Sequence, residues 1–284
     1  MKLAFADFWP GFQPDHNFFL YLFQDMYDDV KLVTPEMADV LIYSCFGGQH
    51  GFVNRADTFK IFYTGENLRP NYQECDMSIS FDFDTYAGRN VRLPLWMLQI
   101  DWFNKVDYEN PKYVLPLQDI EENEFTQKPK TKFCTTVYNN PAPHRVEMYE
   151  KLSKYKQVDG FGTPFGNWFY GEGEKYKIIS DYKFSICFEN SMFPGYYTEK
   201  LFHAKTAGTV PIYWADEYTK LDFNENSFIN LHDFESIDEL VKHIEEVDKD
   251  EDLYLKYFTE PLFRETPSLD QVKFGIRRIL DSQI

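Results

Sequence analysis

The chain repeats one pattern: a short apolar run, a polar loop carrying Gly, Asn or Asp, then a stretch of helical spacing. Such alternation builds parallel strands whose crossovers cover the faces of the sheet, so it restricts the chain to the α/β class. In the first half, Lys2 to Phe8 reads as a strand and Asp15 to Tyr27 as a helix. Further strands follow at Val30 to Val33, Val40 to Cys45, Lys60 to Tyr63 and Met77 to Phe81. From Asn104 to Lys132 the pattern breaks. Pro111, Pro116 and Pro129 and the acidic cluster Glu121, Glu122 and Glu124 mark a linker. The alternation restarts with a strand at Phe133 to Tyr138 and a helix from His144 to Tyr155. A loop rich in Gly and aromatics then runs from Asp159 to Gly173. After it come a strand at Lys183 to Phe188, a helix from Thr198 to Ala207, and strands at Thr209 to Trp214 and Ser227 to Leu231. Ser236 caps a helix with apolar residues at Ile237, Leu240, Val241, Ile244 and Val247. The expected organisation is therefore a first domain over 1–125, a second over 126–262, and a C-terminal helix in 263–284. That helix either closes the second domain or crosses back onto the first.

Length and charge narrow the function. A chain of 284 residues, 43% of them hydrophobic, is long enough for one large or two modest cores. Its 29 basic against 46 acidic residues give a net charge of −17. This excludes a general nucleic-acid binder, which needs cations to displace phosphate counterions, and argues against docking on an anionic membrane. Cys45, Cys75, Cys134 and Cys187 form no C-x-x-C pair and read as reduced, mostly buried thiols. The first residues reach Asp7 before a secretory apolar region can form, and no run has the ~20 apolar residues of a membrane span. A cytoplasmic location is expected.

Two cations occupy unusual places. Thr198 is a good N-cap and Gly208 a good terminator, which puts Lys200 in the first helical turn, where the helix dipole disfavours a positive charge. Arg145 stands in the same relation to the helix after Phe133 to Tyr138. A bound anion reverses that penalty, and two such cations at strand carboxyl ends suit a diphosphate. A solvated Lys200 paired with Glu199 is the alternative. Glu66, in the Gly-containing turn after Lys60 to Tyr63, is a candidate general base in apolar surroundings, or a carboxylate satisfied by its own turn.

The segments Tyr182-Lys-Phe-Ser-Ile-Cys-Phe-Glu-Asn190, Gly195-Tyr-Tyr-Thr-Glu-Lys-Leu201 and Gly208-Thr-Val-Pro-Ile-Tyr-Trp214 resemble the α1,3/4-fucosyltransferases of glycosyltransferase family 10, in particular the soluble bacterial members. Phe62-Tyr-Thr-Gly-Glu-Asn67, Asn140-Pro-Ala-Pro-His-Arg145, Asp222-Phe-Asn-Glu-Asn-Ser-Phe-Ile-Asn230 and His232-Asp-Phe234 extend the likeness over most of the chain. The resemblance implies a GT-B fold: two Rossmann-like domains with parallel sheets facing an interdomain cleft, the acceptor on the N-terminal side and GDP-β-L-fucose on the C-terminal side. It implies Glu66 as the base that activates an N-acetylglucosamine or glucose hydroxyl, and Arg145 and Lys200 on the pyrophosphate. Tyr196 and Glu199 would contact the donor, and Asn190 would support the same site. The product would be an α-L-fucoside, α1,3- or α1,4-linked, formed with inversion. The expected partners are GDP-fucose and an oligosaccharide. No cofactor or essential metal is expected, since no D-x-D stands in a convincing setting; Asp82-Phe-Asp84 has the letters but reads as structural. Two departures stand out. The stretch Gly160 to Gly171 carries aromatics where bacterial relatives have a Gly-Gly-Gly segment and an Arg. The heptad repeats and basic tail of some of those relatives are absent, which argues against membrane association. A transferase using another nucleotide sugar is a second reading. A non-catalytic nucleotide-sugar or glycan binder is a third, and the intact Glu66, Arg145, Glu199 and Lys200 argue against it.

Overall fold

In the computed structural model, which describes residues 1–54, 56–105, 114–122, 130–169 and 171–283, the apolar runs of the first half are strands of one parallel sheet. They are β1 (Lys2–Ala6), β2 (Lys31–Leu32), β3 (Val40–Tyr43), β4 (Phe59–Tyr63), β5 (Met77–Ser80) and β6 (Asn90–Arg92), in the order β2-β1-β3-β4-β5-β6. The register sets Leu3 against Val40, Val40 against Phe59 and Ile61 against Met77. All four residues of β3 are buried, as befits a strand covered on both faces. Helix α1 (Phe18–Met26) starts later than expected, because the Asn17 side chain accepts from Leu20 N–H and caps it there. The chain passes from β1 to β2 on one side and then to β3 on the other, so the direction of strand addition reverses between β1 and β3.

Beyond Leu98, β7 (Ile100–Asp101) pairs with β8 (Leu115–Pro116), followed by the short α2 (Leu117–Glu121). The second large sheet contains β9 (Lys132–Val137), β10 (Val158–Phe161), β11 (Tyr182–Ile186), β12 (Val210–Tyr213) and β13 (Ile229–Asn230). It is parallel, in the order β10-β9-β11-β12-β13, and reverses between β9 and β11. Its helices are α3 (Pro143–Tyr155), α4 (Gly171–Ile179), α5 (Glu199–Thr206), α6 (Thr219–Asp222), α7 (Ile237–Lys249) and α8 (Glu251–Thr259). Phe133, Met148, Phe184, Val210, Leu240 and Ile244 belong to its core. The final helix is α9 (Asp270–Leu280).

Two units result. One holds Met1–Leu98 with Ser268–Ile284, the other the bulk of residues 99–267. The division thus falls ahead of the expected boundary at 125. Gln99 bonds His203 of α5 at 3.0 Å, and β7 pairs with β8, which ties this segment to the second unit. Helix α9 packs on the first unit. Lys273 pairs with Asp25 at 2.6 Å, and Arg277 donates to Met26 O at 2.9 Å. The expected loop from 159 to 173 is instead strand β10, a tight turn at Thr163–Phe165 and the start of α4. Part of the expected linker lies outside the described residues, and its described part contains β8 and α2. Cys75, Cys134 and Cys187 are buried thiols and Cys45 is half-buried. Among the described residues no helix is long and apolar enough to cross a membrane.

Candidate active site

The carboxyl ends of β9 and β11 flank the reversal point of the second sheet, the place where open α/β sheets bind ligands. After β9 the chain turns through Asn139 to Ala142, and Pro143 at the first helical position starts α3. Arg145 follows in the first turn with its side chain buried. Its Nε and Nη2 donate to Phe188 O at 2.9 and 2.6 Å, and Nη1 donates to Asn140 O at 3.1 Å. The guanidinium therefore staples the two loops at the reversal, and burial pulls its pKa below the ordinary arginine value. Each terminal nitrogen keeps a second N–H. Beside it, the Glu189 carbonyl accepts from His144 Nε2 at 2.8 Å.

Glu189 organises the start of α5. It is fully buried, and its Oε1 accepts Thr198 N–H and Oγ1–H, both at 2.8 Å, and the Tyr213 hydroxyl at 3.0 Å. Its Oε2 accepts from Lys200 Nζ at 2.9 Å. Lys200 also reaches Thr198 Oγ1 at 2.7 Å and Glu199 Oε1 at 3.7 Å. Burial works against the Lys200 ammonium, but Glu189 and Glu199 outweigh it and raise the pKa to about 12. Glu199 pairs with Lys175 of α4 at 3.0 Å. Burial opposes its charge too, yet Lys175 and then Lys200 hold its carboxyl well below the usual range. Arg145, Lys175 and Lys200, set against Glu189 and Glu199, leave a local excess of one positive charge (3 − 2 = +1). The three cations line one small cavity with Tyr138 and Ser185.

Tyr196 is buried in the turn before α5, where its N–H donates to Phe193 O. Gly195 precedes it at φ +84°, and its N–H donates to the buried Asp216 carboxylate. Half-buried Asn190 turns its Oδ1 toward its own loop, accepting from Ser191 Oγ at 3.0 Å. The expected donor residues thus collect on one rim of the second sheet. Sequence reasoning missed two members of the cluster, Glu189 and Lys175. Glu189 lay inside the quoted Phe-Glu-Asn run, and a buried acid three residues past a strand was the available signal. Lys175 lies on a helix that was not foreseen.

Glu66 stands in the first unit, at the carboxyl end of β4. Its N–H donates to Thr64 Oγ1 at 2.9 Å, and its carbonyl accepts from Leu68 N–H at 2.7 Å. Its side chain is exposed, which corrects the apolar surroundings expected of it. Gly65 lets this turn lie against Leu95, which a Cβ would meet at 3.1 Å. Asp82 and Asp84 form a turn. Asp82 accepts from Asp84 N–H and from the Tyr86 hydroxyl and pairs with Arg69 at 3.3 Å.

Comparison with known proteins agrees with this architecture. A model described as glycosyltransferase family 10 (fucosyltransferase), C-terminal, matches residues 126–271. A second, the α-(1,3)-fucosyltransferase FucT N-terminal domain, matches residues 3–99. The α-(1,3)-fucosyltransferase FucT of Helicobacter pylori is 29% identical over 92% of this chain, which spans 60% of that protein's length. The 4-galactosyl-N-acetylglucosaminide 3-α-L-fucosyltransferase 9 of Mus musculus is 39% identical over 44% of this chain and 35% of its own. A crystal structure of an α1,3-fucosyltransferase with GDP-fucose superposes with a TM-score of 0.76 at 26% identity, covering all of this chain and 91% of the other. The two α/β units are the GT-B architecture expected from the sequence.

Proposed function

The chain belongs to glycosyltransferase family 10, and we propose that it transfers L-fucose from GDP-β-L-fucose to a hydroxyl of an N-acetylglucosamine or glucose unit in a lactosamine-type glycan, in α1,3 or α1,4 linkage. The observation that carries this reading is the cation cluster of Arg145, Lys175 and Lys200 at the reversal point of the second sheet, with its excess positive charge. A chain of net charge −17 places that charge where a nucleoside diphosphate can be held. Tyr196, Glu199 and Asn190 shape the same donor site. Glu66 takes the proton from the acceptor hydroxyl as its oxygen bonds to the anomeric carbon. The bond from that carbon to the phosphate oxygen breaks, and its electron pair leaves with GDP. Attack opposite the leaving group converts the β-linked donor into an α-L-fucoside. Arg145 and Lys200 stabilise the charge that develops on the departing diphosphate, so transfer is proposed to need no metal and to persist in EDTA. Four cysteines that are mostly buried and form no disulfide among the described residues fit a reducing, cytoplasmic setting.

The test is transfer from GDP-fucose to a panel of lactosamine acceptors, read as GDP release and product NMR. The expected result is an α-anomeric fucoside, and the absence of both product and GDP release overturns the reading. Glu66→Ala is expected to lower kcat by about 10²–10⁴ through loss of the base, with GDP affinity retained. Equal activity in mutant and wild type removes Glu66 from that role.

A further inference from the structure

The first sheet has its own reversal point, between β1 and β3, which the donor site does not use. There the chain leaves β1 through Asp7, Phe8 and Trp9 and leaves β3 through Phe46, Gly47 and Gly48. The two loops are locked together. Asp7 adopts φ +57°, and its carbonyl accepts Phe46 N–H at 2.9 Å. Its carboxylate accepts Gln49 N–H at 2.8 Å, His50 N–H at 2.9 Å and His50 Nδ1 at 2.6 Å. A Cβ on Gly47 would lie 2.3 Å from Asp7 Oδ1, so only glycine permits this closure.

What the lock presents is aromatic. Trp9 is 37% exposed and Phe46 is 48% exposed, with ring centroids 6.5 Å apart and planes at 88°. Phe8 and Phe12, stacked at 4.0 Å, back Trp9 from 5.3 Å each. The corner is rigid, and rigid aromatic rings offer contact area at low entropic cost. It is far smaller than the ~1,000 Å² that a stable protein interface buries. The same rim carries Glu66. Cys45 Sγ lies 3.6 Å from Thr64 Oγ1, and that oxygen accepts Glu66 N–H. Glu66 follows β4 and the corner follows β1 and β3, so at most two strand spacings, ~10 Å, separate their strands.

We propose that Trp9 and Phe46 form a sugar-binding corner for the pyranose next to the one that accepts fucose, with the Asp7–His50 pair as its positioning latch. The assignment rests on the fucosyl-transfer reading and names the acceptor subsite within it. The occupant is a carbohydrate, because one apolar C–H face and a polar edge suit two perpendicular rings at a strand-end crevice.

The test is acceptor kinetics on Trp9→Ala, Trp9→Phe, Phe46→Ser and a surface control, Phe52→Ser, whose ring is 92% exposed. The KM for N-acetyllactosamine is expected to rise about tenfold in Trp9→Ala and Phe46→Ser, a loss of ~1.4 kcal/mol. Values for GDP-fucose and free N-acetylglucosamine stay unchanged, whereas the thermal midpoint falls in Trp9→Ala because its packed indole is lost. Trp9→Phe recovers most of the loss, and Phe52→Ser behaves as wild type. An unchanged disaccharide KM, or an equal rise for the monosaccharide, overturns the proposal. So does conversion of a dimer to a monomer by Trp9→Ala, which assigns the corner to a second copy. If wild type makes no fucosylated product, it is the functional reading that fails. Saturation-transfer NMR with N-acetyllactosamine then still reads the corner. Signal in wild type that is lost in Trp9→Ala supports it, and absence of signal in wild type overturns it.

Discussion

Glu189 anchors Thr198, the residue expected to cap helix α5, through both its N–H and its hydroxyl. The threonine hydroxyl makes no cap to its own helix. It donates to Glu189, which also takes the Thr198 N–H. Lys200 tolerates the positive end of the dipole because a buried carboxylate sits beside it, so its position alone did not require a bound diphosphate. What the sequence argument inferred from cations at two helix starts comes instead from the surplus cation of the whole cluster. Glu189→Gln leaves the Lys200 ammonium with Glu199 at 3.7 Å as its remaining carboxylate among the pairs described, and the expected cost is ~3 kcal/mol, read as a lower urea midpoint, together with a higher KM for GDP-fucose. Lys205 makes a second case at this scale. Burial pushes its ammonium down to about 7 from 10.5, with Glu260 opposing only in part. It donates to Tyr257 O and Phe258 O at the end of α8. The folded chain therefore binds this proton more weakly than the unfolded chain does. Between pH 7 and 10.5 the unfolded state holds more protons, and stability rises with pH. Below that window the penalty is fully present. Lys205→Met should remove this rise, so the stability gap between wild type and variant shifts in favour of wild type as pH climbs from 7 to 10.

Among elements, the segment after β10 shows how aromatic surplus becomes structure. Gly160 lies so close to Phe165 that a Cβ would come within 2.2 Å of its ring, and Phe165 packs on Tyr138 and Tyr149. Asn139 Oδ1 accepts Thr163 N–H and Oγ1–H, which ties the turn to the loop after β9. Trp168 emerges from this frame 63% exposed. If it stacks on the donor's base, Trp168→Ala weakens GDP binding by ~1–3 kcal/mol, measurable by calorimetry; unchanged affinity makes it a packed lid. β3 was the plainest strand in the sequence, a continuous apolar run buried on both faces, and β4 was legible despite Lys60 in its second position. β10 was hidden because Val-Asp-Gly-Phe places a glycine where the core admits nothing larger. Helix α4 was hidden by Gly171, which opens it at φ +76°, and Gly173 in its first turn, because glycine reads as a helix breaker. Asp250 ends α7 and caps α8 at once, accepting from Leu253 N–H, and of the two only α7 was read from the sequence. In the same way Arg145 and Lys200 were legible from helix starts and Glu199 from the family resemblance, whereas Lys175 was lost with its helix.

At the scale of the whole molecule, the acidic surplus and the cationic site are compatible because charge is sorted locally. The −17 total belongs to the chain, and the +1 to five side chains around one strand reversal. The two units are also unequally continuous. The second is nearly one stretch of chain, whereas the first needs α9, whose Gly275 lies against Val91 of β6. A Cβ there would stand 2.9 Å from Val91 Cγ2. Gly275→Leu is therefore expected to cost ~1–3 kcal/mol by overpacking, seen as a lower thermal midpoint with GDP affinity in the second unit unchanged.

That arrangement also orders events on the ribosome. The strand around which the first sheet assembles is synthesised before the second unit, and the helix that closes over β6 is synthesised after it. The second unit can finish folding while the first still waits for its closing helix, with an apolar sheet face that a chaperone or a neighbouring nascent chain can reach. Of the two units, the one begun first is the one completed last.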